Sequence, residues 1–141
     1  MSWPVEYRRK VRYSDTDAQG IVFNGNYFTY MDDALTDWLD ATGLGGGGLV
    51  ERGFDIVLAH AEVDFRSSAR LGDTLVTAPR VAAVGRTSVT FTVEVRDEET
   101  GRLVVEASQI QVLVDAETFR PAPVPAFFVE AASRLQGAIG D

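Results

Sequence analysis

The sequence predicts an α+β domain: a strand, one long helix, then four antiparallel strands. Three observations carry this expectation. Residues 5–13 alternate apolar and polar side chains, residues 27–42 switch to a helical period, and four further alternating runs follow, separated by turn residues. In the first run Val5, Tyr7, Val11 and Tyr13 share one face, and Glu6, Arg8, Lys10 and Arg12 the other. Only Arg9 breaks the alternation. In the helix, Tyr27, Met31, Ala34, Leu35, Trp38 and Leu39 form one stripe, with Asp33, Asp37 and Asp40 mostly outside it. Thr42 closes the last turn and Gly43 is a natural C-cap.

The later runs are Phe54 to Arg66, Thr74 to Val84, Thr87 to Arg96 and Leu103 to Val114. In Phe54 to Arg66, Val57, Ala59, Ala61, Val63 and Phe65 are expected on one face. Ile56, Leu58, His60, Glu62, Asp64 and Arg66 are expected on the other. Pro79 predicts an edge position or a bulge, because proline cannot donate to a ladder. Gly85-Arg86 and Asp97 to Gly101 read as hairpin turns, and Gly45 to Gly48 as a flexible connection. Pro121, Pro123 and Pro125 end the sheet, and Ala126 to Ala138 reads as a terminal helix. No repeat or linker divides the chain, so residues 1–141 are expected to form one domain. One helix covers only one face of such a sheet, and edge strands present unpaired backbone groups. A homodimer or homotetramer is therefore expected.

Composition narrows the function. With 45% apolar and 24% charged residues the chain reads as folded rather than disordered. It has no cysteine, which removes disulfides, thiolate metal sites and cysteine nucleophiles. Its one histidine, His60, cannot form a multi-histidine metal site within one chain and reads as a structural or interface residue. Thirteen basic against 21 acidic residues give a net charge of −8, which argues against nucleic acid and anionic membranes as partners. No apolar run approaches a membrane span and no signal peptide is visible, so a cytoplasmic protein without membrane insertion is expected.

The connection between the first strand and the helix is where chemistry is expected. It carries Asp15 and Asp17, followed by backbone amides at residues 22–26. Free N–H groups and the positive end of a helix favour a developing oxyanion, and a nearby carboxylate can attack a carbonyl or activate water. Both aspartates are equally at home as turn residues whose side chains bond nearby amides.

Val11-Arg12-Tyr13-Ser14-Asp15-Thr16-Asp17-Ala18-Gln19-Gly20-Ile21-Val22-Phe23, followed by Asn26-Tyr27-Phe28, resembles the active-site segment of the hotdog-fold 4-hydroxybenzoyl-CoA thioesterase family, including the acyl-CoA thioesterases encoded beside the Tol-Pal system. Val63-Asp64-Phe65-Arg66 with Ala69-Arg70-Leu71-Gly72-Asp73 resembles the family's second signature. The resemblance implies a hotdog domain, a helix wrapped by a five-stranded antiparallel sheet, that hydrolyses an acyl-CoA thioester. Coenzyme A enters as part of the substrate, and neither a cofactor nor a metal is expected. Asp17 matches the catalytic carboxylate, as nucleophile or general base. Position 24 matches the backbone donor that polarises the thioester carbonyl, with Gly25 beside it, and Tyr13 matches a tyrosine lining the site. Asn24 stands where the Tol-associated branch has histidine, which removes an acid/base role but leaves the amide; N-capping is an equal alternative for its side chain. Phe23, Tyr27 and Phe28 flank the acyl position. Arg66, Arg70, Arg86 and Arg120 match positions that hold the coenzyme A phosphates, in part from a neighbouring subunit. Two further readings stay open: a binding or sensing module that holds acyl-CoA without cleaving it, and a dehydratase, which needs a histidine that this segment lacks.

Overall fold

The structure, a computed structural model, describes residues 3–139. Its elements run β1 (Tyr7–Lys10), a 3-10 turn (Tyr13–Asp15), α1 (Asn26–Thr42), α2 (Gly48–Glu51), β2 (Phe54–Phe65), β3 (Thr74–Val84), β4 (Ser88–Asp97), β5 (Leu103–Asp115) and α3 (Ala126–Gln136). The strands form one antiparallel sheet in the order β1-β3-β4-β5-β2, so β1 and β2 are its edges. This is the hotdog arrangement, with α1 lying against the sheet. Tyr27, Tyr30, Met31, Ala34, Leu35 and Trp38 form the buried stripe of the helix. Trp38 is fully buried, edge-on to Phe91 of β4 at 5.1 Å and tilted against Phe128 of α3 at 5.8 Å. One indole thus joins the helix, the sheet and the terminal helix.

Helix α1 is stopped at Gly43, whose φ of 82° is a left-handed cap that a side chain would strain. The glycine run that follows is more structured than a flexible connection: Gly48 opens α2, which buries Leu49.

Two strands depart from the expected pattern. The first is shorter, because the chain turns at Tyr13 and Val11 donates its amide to the Asp73 carbonyl at 2.8 Å. In β2 the pairing with β5 slips by one residue between Leu58 and His60. Ile56 and Leu58 therefore face the helix side with Gln111 and Leu113, and after the bulge Ala61, Val63 and Phe65 do so. Val57, His60, Glu62 and Asp64 take the outer face. The expected two-faced apolar strand is thus a strand with one extra residue, Ala59, and its core side stays continuous. Pro79 lies on β3 beyond the last β1 partner, Thr77, and just before a second slip between Val81 and Ala83. There β3 has become an edge, and the Gln136 side chain of α3 bonds both the amide and the carbonyl of Val81 at 2.9 and 2.8 Å.

Candidate active site

The connection from β1 to α1 is organised around Asp15. Its side chain is buried, at 6% exposure, and accepts two bonds from the Arg9 guanidinium at 2.8 and 3.2 Å and one from the Arg12 amide at 2.9 Å. Arg9 breaks the alternation of β1 because it turns inward to meet this carboxylate. The Asp15 carbonyl accepts from the Phe23 amide at 2.9 Å and from the Asn26 side chain at 2.8 Å. Burial pushes the Asp15 carboxyl up, but Arg9 and the Arg12 amide outweigh it and hold the group below its ordinary value. A carboxyl with a depressed folded-state pKa contributes stability above the ordinary carboxylate range, and that contribution is lost as pH falls through the folded value. Thermal melts followed from neutral to strongly acid pH are expected to show a falling Tm across that window, and Asp15→Asn is expected to flatten that part of the profile.

Two residues on, Asp17 has a different environment. Its amide bonds the Ile21 carbonyl at 3.0 Å, closing a small loop that turns on Gly20, whose φ is 77°. One carboxylate oxygen accepts from the Gln19 amide at 2.9 Å. That single bond fixes the side chain in the turn, and no guanidinium is paired with it among the described residues. Asp17 opens into a cleft of about 240 Å³. Its walls are Gln19, Ile21 and Val22 from the loop, Asn24 and Tyr27 from the start of α1, and Phe65, Ser67 and Ser68 from the end of β2.

The helix begins with tight turns in which Asn26, Tyr27 and Phe28 donate to Phe23, Asn24 and Gly25 at 2.9, 3.3 and 3.2 Å. The amides of Asn24 and Gly25 have no acceptor among the described residues. A Cβ at Gly25 would fall 2.8 Å from the half-exposed ring of Phe23, which would have to shift. Asp17 and Asn24 thus line one cleft of mixed polar and apolar walls, with the unpaired amides of Asn24 and Gly25 at the entry to α1. Tyr27 is buried against Phe65, ring centroids 5.9 Å apart, and burial pushes its phenol up to about 12, so it stays a donor.

The remaining candidates are dispersed. Tyr13 points to solvent at 82% exposure and does not line the cleft, because the 3-10 turn rotates it outward. Phe23 is half exposed over Gly25. Arg70 lies at the cleft rim, its backbone bridged to Ile21. Arg66 stands at the same end of the sheet, paired with Glu106 at 3.1 Å and Asp64 at 3.4 Å. Arg86 and Arg120 are elsewhere. Their carbonyls accept from Val124 and Asp115, at the far end of β5, whose 13 residues span about 40 Å. The four arginines do not form one patch within a chain. His60 is exposed on the outer face, 3.4 Å from Glu62.

Ser67, Ser68 and Arg102 were not anticipated. Arg102 donates to the Ser67 hydroxyl and the Ser68 carbonyl, both at 2.7 Å, and so fixes one rim of the cleft. Its place in the turn between β4 and β5, at the same end of the sheet as the end of β2, is the signal that marks it. Among the described residues no group of three or more His, Cys, Asp or Glu side chains is placed to hold a metal. No helix among them is long and apolar enough to cross a membrane.

Fold and sequence relatives together place the chain among the hotdog thioesterases. The chain belongs to the thioesterase-like superfamily, whose sequence profile matches residues 11–132. It is 29% identical over 123 residues to the acyl-CoA thioester hydrolase YbgC of Escherichia coli, covering 87% of this chain and 88% of that one. The solved 1,4-dihydroxy-2-naphthoyl-CoA thioesterase from Synechocystis superposes with a TM-score of 0.82 at 25% identity, over 93% of this chain and 96% of that one. A thioesterase from Thermus thermophilus, solved with coenzyme A and zinc, superposes with a TM-score of 0.83 at 29% identity, over 96% of both chains.

Proposed function

We propose that this hydrolase cleaves an acyl-CoA thioester to a carboxylic acid and free coenzyme A, with Asp17 as the reacting carboxylate. The observation that carries the reading is the shared cleft of Asp17, Asn24 and Tyr27, with unpaired amides at Asn24 and Gly25. The thioester carbonyl oxygen accepts from one or both amides, and its carbon is turned toward Asp17. As a general base, Asp17 takes a proton from water while the hydroxyl adds to the carbonyl. As a nucleophile, it forms a mixed anhydride that water then opens. In either case the C–S bond breaks, the thiolate leaves with a proton derived from water, and the carboxylate is regenerated. Ser67, Ser68 and Arg102 shape the side of the cleft facing the thioester, and Phe23, Tyr27 and Phe65 flank the acyl group.

The working unit is a homodimer or a homotetramer. β2 is an open edge with Val57, Leu58 and Phe65 exposed, which invites antiparallel pairing with β2 of a second copy. A two-fold pairing of this kind lays the far end of one sheet beside the cleft end of the other. Arg86 and Arg120 of one copy then join Arg66 and Arg70 of the next, giving the coenzyme A phosphates a local cationic site on a chain of net charge −8.

A thiol-release screen across aliphatic and aromatic acyl-CoAs tests this. Stoichiometric free thiol and carboxylic acid are expected with at least one acyl class. Saturable acyl-CoA binding without thiol release over hours would instead favour a binding module.

A further inference from the structure

We propose that Asp15 is a positioning residue that registers the Asp17 carboxylate against the Asn24 and Gly25 amides. This rests on the reading of Asp17 and those amides given above. Asp15 touches neither the cleft nor any reacting atom, yet it is tied to both sides of it. On the strand side its carboxylate is forked by Arg9 and bonded by the Arg12 amide. On the helix side its carbonyl holds the Phe23 amide and the Asn26 side chain, flanking the two unpaired amides. Asp17 follows after one residue, Thr16, which is itself bridged to Val22. A rotation of Asp15 therefore moves the carboxylate and the helix start relative to each other.

An ordinary turn aspartate is exposed and bonds one or two nearby amides, as Asp17 does with Gln19. Asp15 is buried, with six hydrogen bonds through one residue once its own amide's bond to the Arg12 carbonyl is included, and its charge is paired with the Arg9 guanidinium at 2.8 Å. Burying an ion pair is a poor route to stability, since apolar residues of similar volume often serve better. This pair, with Arg9 itself only part-buried, ties β1 to the loop that carries Asp17.

Three variants test the inference in the full chain, assayed well below each variant's melting temperature: Asp15→Asn, Arg9→Gln and Asn26→Ala, with Asp17→Asn alongside. Because a misplacement near 1 Å can cost about 100-fold in rate, Asp15→Asn is expected to lower kcat by about that factor. KM should stay within about threefold of the wild type, since ground-state binding is untouched. Arg9→Gln is expected to do the same, and the double variant Arg9→Gln/Asp15→Asn to be no slower than the slower single, because the two side chains act as one unit. Asn26→Ala removes one of the two helix-side ties, leaving the Phe23 amide bond, and buries no unpaired charge, so it reads a smaller loss of the same kind should the Asp15 variant fail to fold. Lowered melting temperatures with kcat and KM unchanged in the folded variants would mean a merely structural pair and overturn the inference. If Asp17→Asn is inactive while Asp15→Asn and Asn26→Ala turn over normally, the inference alone fails. If Asp17→Asn turns over normally, the proposed carboxylate fails and the inference with it.

Discussion

Replacing Asp17 with Asn is expected to lower kcat for acyl-CoA hydrolysis by about 100- to 10,000-fold, the range that a positioned proton acceptor or nucleophile supplies. The substitution keeps the shape of the side chain and can keep the bond from the Gln19 amide, which an amide oxygen accepts as well as a carboxylate oxygen. The loop, the cleft and the fold should therefore survive, and the loss should fall on kcat with KM little changed. Steady-state thiol release checks both constants, and a melt confirms the fold. A single-turnover reaction in oxygen-18 water probes the nucleophilic role: label found at position 17 of the wild-type enzyme shows that Asp17 formed an anhydride opened at its own carbonyl, which general-base catalysis does not give.

Trp38→Ala is expected to give the largest loss of stability of any single change. The indole is fully buried and in ring contact with Phe91 and Phe128. Truncating such a side chain costs about 3–5 kcal/mol through lost transfer energy and the cavity left behind. For a domain of this size that lowers Tm by about 10–15 °C. Because the total stability of a domain is only about 5–15 kcal/mol, the variant stands near its unfolding threshold. Activity should follow the folded fraction: near normal per folded molecule at low temperature, lost well below the wild-type Tm. Denaturant and thermal unfolding followed by circular dichroism measure this.

Much of the architecture could be read before folding. The change of period at Tyr27 and the Gly43 stop locate α1 within one residue of its observed bounds. The four later runs become β2 to β5 with small shifts at their ends. What the pattern misjudged has identifiable causes. Val57-Leu58-Ala59 is apolar at every position, so alternation alone does not show where the extra residue sits, and the bulge exchanged the faces assigned to Ile56 and Leu58. The Arg9–Asp15 pair spans a turn and six residues, beyond what periodicity reports, although the broken alternation at Arg9 was its trace.

The loop proposed to carry the active site was legible as a motif, and its two aspartates were not distinguished by spacing: folding buries Asp15 with a guanidinium and leaves Asp17 open to the cleft. The dispersal of the arginines follows from strand direction. β3 leads away from the cleft end and β5 ends at the far one, so a turn after β3 and a segment after β5 both lie remote from Arg66 and Arg70. Counting antiparallel strands from the end of β2 would have shown it. Ser67, Ser68 and Arg102 meet only through the pairing of β2 with β5, a long-range contact that no local pattern carries.

The most direct measurement is a crystal structure of the Asp17→Asn variant with a bound acyl-CoA that the wild-type enzyme hydrolyses. The carbonyl oxygen should lie about 3 Å from the amide nitrogen of Asn24 or Gly25, with the side chain at position 17 facing the carbonyl carbon. A thioester seated with its carbonyl turned away from both amides, or held outside the cleft, would contradict the assignment.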